Sequence, residues 1–372
     1  MRISLRGRTT TSATASTEPV ERRPEARFLL LDLARLLAAL AVVLYHFVAR
    51  EHDQWGSSAQ NLFPVLSQVS VYGFLGVQLF FVISGFVILM SVENRSVRQF
   101  AAARAARLFP AYWVAVLATA ALLVWIAPQL HQDVSLSQVL VNLTLLQTPL
   151  GIAPVDGVYW TLWVEVTFYA AIALLVALGV TGRGMTWFMV GWPVAGLAVS
   201  LLGNEKLIFL LAAEHAPWFA AGMCLYLMHR HGRTAFRWAF LVLVTALAVR
   251  QTLAFNVPDT EPYTDVPVSR VVAAVLAVAI VAVMTVVTQT DLKSVGRPWM
   301  ITAGALTYPL YLLHEYWGWW MIGLVQPVAG HLAALAAALL LSLLMAHVVA
   351  HGVERPVRPR LRRALEKLLA RP

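Results

Sequence analysis

The sequence predicts an all-α polytopic membrane protein, with about ten transmembrane helices around a central cavity and both termini in the cytoplasm. Three observations predict it. Composition comes first: of 372 residues, 59% are hydrophobic and only 13% charged, where a soluble domain carries about 25% charge. Mean hydropathy is +0.70. Second, apolar runs long enough to cross a bilayer, for which about 20 residues suffice, recur along the whole chain. They fall near 28–50, 71–91, 110–127, 159–180, 185–202, 207–228, 236–254, 269–288, 300–324 and 331–350. Third, if the chain starts inside, 23 of its 28 Lys and Arg lie in the two tails and in the gaps on the same side. Basic residues gather on the cytoplasmic side of membrane proteins, so span number and charge asymmetry give the same topology.

The basic residues sit between apolar spans and at the ends, so the net charge of +9 is a topology signal. It does not mark a nucleic-acid surface. The bilayer is the expected partner. One cysteine, Cys224, leaves no disulfide framework and no zinc site, and no spacing of the HExxH kind appears. No metal is expected.

Residues 1–27 are rich in Arg, Ser and Thr without an apolar stretch, and read as a disordered basic cytoplasmic tail. Residues 28–356 form the membrane domain, and 357–372 a second basic cytoplasmic tail. No appended soluble catalytic domain is expected. The first span, FLLLDLARLLAALAVVLYHFVAR, carries Asp32, Arg35 and His46 within its apolar run. Eleven residues at ~100° each return His46 to nearly the face of Arg35, roughly 16 Å further along. Charged groups at that depth are costly and point to a protein interior or wet cavity.

Other spans add polar groups. The second contains Ser84 and Gly85 in LFFVISGFVI; such a pair usually marks a close helix contact, and no nucleophile-elbow context surrounds the serine. The segment 92–109 reads as a loop carrying Arg95, Arg98, Arg104 and Arg107, with the third helix starting near Pro110. Positive-inside topology accounts for the first two. Arg104 and Arg107, one turn apart, form a pair suited to phosphate groups. The outer loop 128–158 holds a short amphipathic piece from Leu136 to Leu146.

In YWTLWVEVTFYA, Thr161, Glu165 and Tyr169 share a face, with Trp160 and Trp163 alongside. Glu165 lies roughly 9 Å below the outer start of its helix, which matches the depth of His46. A carboxylate beside an imidazole fixes its tautomer and raises its basicity, so Glu165 is expected to orient His46. An interfacial belt explains the tryptophans, but less well a glutamate that far inside. YPLYLLHEYWGWW brings Tyr311 and His314 to one face, followed by Glu315. Glu214 and His215 repeat the acid and imidazole in the sixth span, and His347, His351 and Glu354 read as interface residues in the last.

Taken together, five motifs in order resemble acyltransferase family 3, the bacterial membrane O-acyltransferases. They are L-D-x-x-R with R-x10-H from Arg35 to His46, FFVISGF at 80–86, R-x-x-R-x-x-P at 104–110, W-x-L-x-x-E-x-x-F-Y at 160–169, and Y-x-L-Y-L-x-H at 308–314. E-R-P at 354–356 is similar to the family's closing motif. The chain departs from the usual L-D-G-L-R-G at Ala34 and Leu36.

The resemblance implies acyl transfer in the bacterial plasma membrane, from cytoplasmic acyl-CoA, typically acetyl-CoA, as a co-substrate with no permanently bound cofactor. The acceptor would be a hydroxyl of a cell-envelope or secreted glycan, or of a glycosylated secondary metabolite. It carries essential roles onto Arg35, His46, Arg104, Arg107 and Glu165. The scheme that joins both arguments makes His46 and Glu165 catalytic, and places Arg35, Arg104, Arg107, Ser84, Trp160, Tyr311 and His314 against the substrates. The competing class is a secondary transporter or exporter, which would use the same midplane charges without releasing a thiol.

Overall fold

The computed structural model describes residues 28–93, 95–130, 134–203 and 205–370. The N-terminal tail at 1–27 lies outside them. Every regular element among the described residues is helical. The helices that matter here are α1 (Leu29–Val48), α2 (Gly76–Val92), α3 (Val97–Ala121), α4 (Leu136–Asn142), α5 (Trp160–Ala177), α6 (Arg183–Leu201), α7 (Ala216–His231), α8 (Ala235–Gln251), α9 (Arg270–Gln289), α10 (Trp299–Val349) and α11 (Arg355–Leu368).

Eight helical stretches among the described residues are long and apolar enough to cross a membrane. One of them runs from Trp299 to Leu368 and is broken at Gly330, whose φ of 79° is non-helical. That break separates the two runs the sequence shows at 300–324 and 331–350. The 16 residues of α7 are almost wholly buried but fall short of a full span. An expectation of ten therefore counts α10 as two arms and includes α7.

The two central helix contacts are set by glycines. A Cβ on Gly85 of α2 would collide with the backbone carbonyl of Phe219 in α7, and one on Gly222 of α7 with that of Val82. The pair locks α2 and α7 at a crossing that no larger residue allows. This is the close contact the Ser84-Gly85 pair predicts. The first arm of α10 lies along α1 in the same direction. A Cβ at Gly304 would stand 2.7 Å from the Asp32 side chain, and Gly318 faces the Phe47 ring. Thus α1 and α10 run side by side with Asp32 at one end and His46 at the other.

The third helix corrects the sequence reading. It does not begin at Pro110. Ser96 accepts from the Gln99 amide at 3.3 Å, and the Gln99 side chain accepts from the Ser96 amide at 3.2 Å. This reciprocal cap starts α3 at Val97. The Ala-rich turn that follows favours helix enough to carry it through Pro110, whose ring forfeits only one backbone bond. Arg104 and Arg107 therefore project from a continuous helix and not from a loop.

The segment after α3 is also more ordered than a flat amphipathic piece. Its α-helix among the described residues is α4, and Asn142 fastens the rest: its side chain donates to Ala153 O at 3.1 Å and accepts from Val155 N at 3.0 Å. Tyr112 of α3 donates to Asn142 O at 2.8 Å. The fastened loop delivers Asp156 to the first arm of α10. Likewise, the sixth span starts later than the apolar run does, so Glu214 and His215 precede α7. At the far end, a π-helical turn, Ala350–Glu354, leads from α10 into α11, which packs on α3. The tail beyond residue 356 thus continues the fold as a helix.

Candidate active site

Two cavities lie back to back between α1, α2, α3, α5 and α10. One, of about 1000 Å³, is lined by Asp32, Arg35, Ser84, Arg104, Arg107 and Glu165, among others. The other, of about 810 Å³, is lined by His46, Arg50, Trp160, His215, Glu315 and their neighbours. Val77 and Tyr311 belong to both walls. Tyr311 is held in that position by a 2.8 Å hydrogen bond with the Thr161 hydroxyl and by donating to Val158 O at 2.9 Å.

On the histidine side, hydrogen bonding assigns the tautomers. His314 is fully buried, and its Nδ1 faces two carbonyls, Tyr311 O at 2.8 Å and Leu310 O at 3.2 Å. Carbonyls only accept, so this Nδ1 carries the proton and the neutral ring presents a lone pair at Nε2. That lone pair meets His46 Nδ1 at 3.1 Å. His46 Nδ1 also lies 2.9 Å from Val42 O. Both partners are acceptors, so His46 is protonated at Nδ1 and its Nε2 is the unprotonated nitrogen. This nitrogen points to the cavity side, 3.9 Å from Glu315 Oε1. Two imidazoles in series thus leave one basic nitrogen exposed to a substrate.

Glu315 and not Glu165 is the carboxylate at His46. Its Oε1 also stands 3.8 Å from Arg50 Nε, and Arg50 lies over the Tyr263 ring. Its Oε2 is buried without a hydrogen-bond partner, as is Oδ2 of Asp156. Asp156 has no exposed surface and caps the next turn by accepting from Val158 N at 3.1 Å. Burial, and then the neighbouring Glu315, push the Asp156 carboxyl well above the usual range. A protonated Asp156 supplies the donor that Glu315 Oε2 otherwise lacks. Gly157 permits the approach: a Cβ there would stand 3.1 Å from Glu315 Oε2.

On the arginine side, Arg35 pairs with Asp32 at 3.2 Å and Arg107 with Glu354 at 2.9 Å. Arg107 also lies over the Tyr308 ring, and Arg104 flanks the rings of Phe100 and Tyr169. The Nε of Arg104 is buried without a hydrogen-bond partner. Glu165 accepts from Ser84 Oγ at 3.1 Å and from the Tyr169 hydroxyl. The two hydroxyls hold this carboxylate in the arginine-lined cavity. Its helix enters beside the septum, and position 165 lies beyond it, whereas His46 lies on the other side. Depth along the sequence did not separate them.

The structure therefore brings the proposed residues together in two groups. Arg35, Ser84, Arg104, Arg107 and Glu165 share one cavity, and His46 and Trp160 line the other, with Tyr311 between; His314, expected against the substrates, lines neither of them and sits fully buried behind His46. Trp160 stands against the His215 ring, centroids 5.4 Å apart. Glu354, read as an interface residue, is the counterion of Arg107. Three residues that sequence reasoning did not place in the site are Arg50, Asp156 and Glu315. The one available signal was the adjacency of Glu315 to His314; nothing in the sequence points to Asp156, because its position depends on the folded loop.

No curated protein and no solved structure matches the chain. The acyltransferase domain family matches residues 28–350, nearly the whole chain. The chain is a membrane-embedded member of that family, acyltransferase family 3.

Proposed function

We propose that the protein is an O-acyltransferase that moves an acyl group, acetyl first among the candidates, from acyl-CoA to a hydroxyl of a cell-envelope or secreted carbohydrate. The observation that carries the reading is the free Nε2 of His46, facing a cavity that backs onto an arginine-lined one across a thin septum. In this reading the arginine side opens to the cytoplasm, both termini lie there, and the membrane is the bacterial plasma membrane. The distribution of Lys and Arg supports that orientation.

The guanidinium groups of Arg104 and Arg107 hold the donor's phosphates. The pantetheine arm runs along α1 past Arg35 and brings its thioester past Tyr311 to His46. Arg35 to His46 spans roughly 16 Å, the scale of that arm. The acceptor enters the other cavity, where Trp160 and Trp163 offer flat apolar faces, and Glu214, Asn256 and Asp259 offer hydrogen-bond acceptors. Such a mixture suits a sugar, which has apolar C–H faces and a rim of hydroxyls.

His46 Nε2 removes the acceptor hydroxyl proton as oxygen attacks the thioester carbonyl. A C–O bond forms, the C–S bond breaks, and the proton passes from His46 to the leaving thiolate. Glu315 stabilises the imidazolium that exists between these events, and His314 holds the ring by accepting from Nδ1. Purified protein given acetyl-CoA and envelope glycans or glycosylated small molecules should release thiol only with the right acceptor, with a matching mass gain on that acceptor. Movement of unmodified substrate without thiol release would place the protein among transporters instead.

A further inference from the structure

We infer that α11 is part of the donor site, and that Arg358 and Arg362 select a nucleotide carrying a phosphate beyond the diphosphate, on its ribose. This rests on the acyl-CoA reading above and adds a specificity element to it. His351, Arg355, Arg358 and Arg362 all line the arginine-lined cavity. Their spacing of four, three and four residues is that of one helical face. Arg360 and Arg363 on the same helix are not among the lining residues. The stripe therefore belongs to the cavity and is not an all-round basic coat.

Charge in the cavity does not balance. Six arginines (35, 104, 107, 355, 358 and 362) line it, against the carboxylates of Asp32, Glu165 and Glu354. Asp32 and Glu354 are already engaged by Arg35 and Arg107. Arg362 reaches only Glu366 of its own helix, at 2.8 Å. Arg104, Arg355 and Arg358 form no ion pair among the described residues. With the buried Arg104 Nε left without an acceptor, the cavity is built for an anion of several charges.

The positions divide the task. Arg104 and Arg107 project from α3 and are half-buried, where a diphosphate next to the pantetheine arm would lie. Arg355, Arg358 and Arg362 are exposed and follow one face of α11 over about 10 Å. Guanidinium groups that run from half-buried on α3 to exposed on α11 offer contacts to a diphosphate and, further out, to a phosphate on the ribose. The π-helical turn at Ala350–Glu354 fixes the angle at which α11 leaves α10, and the Arg107–Glu354 ion pair ties that turn to α3.

The test is binding of CoA and of 3′-dephospho-CoA to the full-length protein in nanodiscs of zwitterionic lipid. Wild type should prefer CoA by at least about tenfold, the worth of one charge-assisted phosphate contact. The Arg358→Gln/Arg362→Gln variant should lose that preference while keeping its affinity for 3′-dephospho-CoA, which also shows that it is folded. Arg360→Gln/Arg363→Gln should keep the preference. An unchanged preference in the first variant, or an equal loss for both ligands, overturns the assignment; so does an effect on anionic-lipid binding alone. Wild type that neither binds CoA nor releases thiol would instead overturn the acyl-CoA reading itself.

Discussion

Nε2 of His314 accepts from Nδ1 of His46 at 3.1 Å, and through this bond a fully buried imidazole fixes which nitrogen of its neighbour is basic. Together with Val42 O, which also accepts from Nδ1 at 2.9 Å, it leaves Nε2 as the unprotonated face of His46. His314→Ala should leave acyl-CoA affinity near wild type but lower kcat by about 10–100-fold, the usual cost of losing an orienting partner. His314→Asn, whose amide oxygen can accept from Nδ1, should recover part of the loss. Steady-state kinetics on both variants separates orientation from packing: equal kcat for the two would count against it.

In the proposed reaction, Glu315 stabilises positive charge that exists only during transfer. Glu315→Gln should therefore lower kcat about 10–100-fold with little change in KM for either substrate. Glu165→Gln should behave differently, because Glu165 lies in the other cavity with Ser84 and Tyr169 as partners. Its effect should fall mainly on KM for the donor. The kcat and KM split across the two variants is the measurement.

Asp156 gives the fold a pH dependence with a definite sign. Its carboxyl is raised in the folded protein by burial and by Glu315, so the folded state holds a proton that the unfolded chain releases near pH ~4. Between the two values the folded state binds more protons, and stability falls as pH rises. It is fully present below the unfolded value and lost as pH rises through the folded one. Asp156→Asn, which copies the protonated form, should flatten that part of a Tm-against-pH curve and raise Tm at the alkaline end. A parallel, unflattened curve would show that Asp156 is ionised in the fold.

The Arg107–Glu354 pair ties α3 to the turn before α11. Removing either partner strands the other; Glu354 is 6% exposed, but Arg107 retains some solvent. The expected loss is about 1–3 kcal/mol for Arg107→Gln or Glu354→Gln, with a double variant less destabilised than the sum of the singles. Arg107→Gln should also raise KM for acyl-CoA, while Glu354→Gln should do so less. Thermal unfolding and donor titration of all three variants read both effects.

Gly85 and Gly222 face each other's helix backbone across the α2–α7 crossing. Backbone cannot yield as a flexible side chain can, so Gly85→Ala or Gly222→Ala should each destabilise by about 1–3 kcal/mol. Loss of folded protein on detergent-phase size exclusion, or a lower Tm, would show it. An unchanged Tm would mean that the helices pass further apart than described.

The helical membrane fold and the two ends of the polar stripe on α1 were legible because hydropathy, charge placement and helical period are local properties of the chain. The second span's Ser84-Gly85 contact was legible for the same reason: a small residue in an apolar helix has few other uses. The partner of His46 was not. Glu165 and His46 were matched by depth, but depth says nothing about which side of a septum a residue faces. Glu315 follows His314 directly, but adjacent helical residues point about 100° apart, so the sequence alone does not bring it to His46. Asp156 depended on Asn142 folding a loop, and the α11 stripe on a turn of unusual pitch. Both arise from tertiary contacts that no single stretch encodes. The sequence reading starts α3 near Pro110, whereas the Ser96–Gln99 cap starts it at Val97.

In the proposed reaction, Nε2 of His46 is the base that activates the acceptor. The most direct measurement is acceptor-dependent thiol release from acetyl-CoA by wild type and by His46→Ala, with CoA binding and Tm recorded on the same preparations. His46→Ala should bind CoA and unfold at close to the wild-type temperature, yet transfer at least about 100-fold more slowly, the scale of a lost general base. Transfer at the wild-type rate by that folded variant would contradict it.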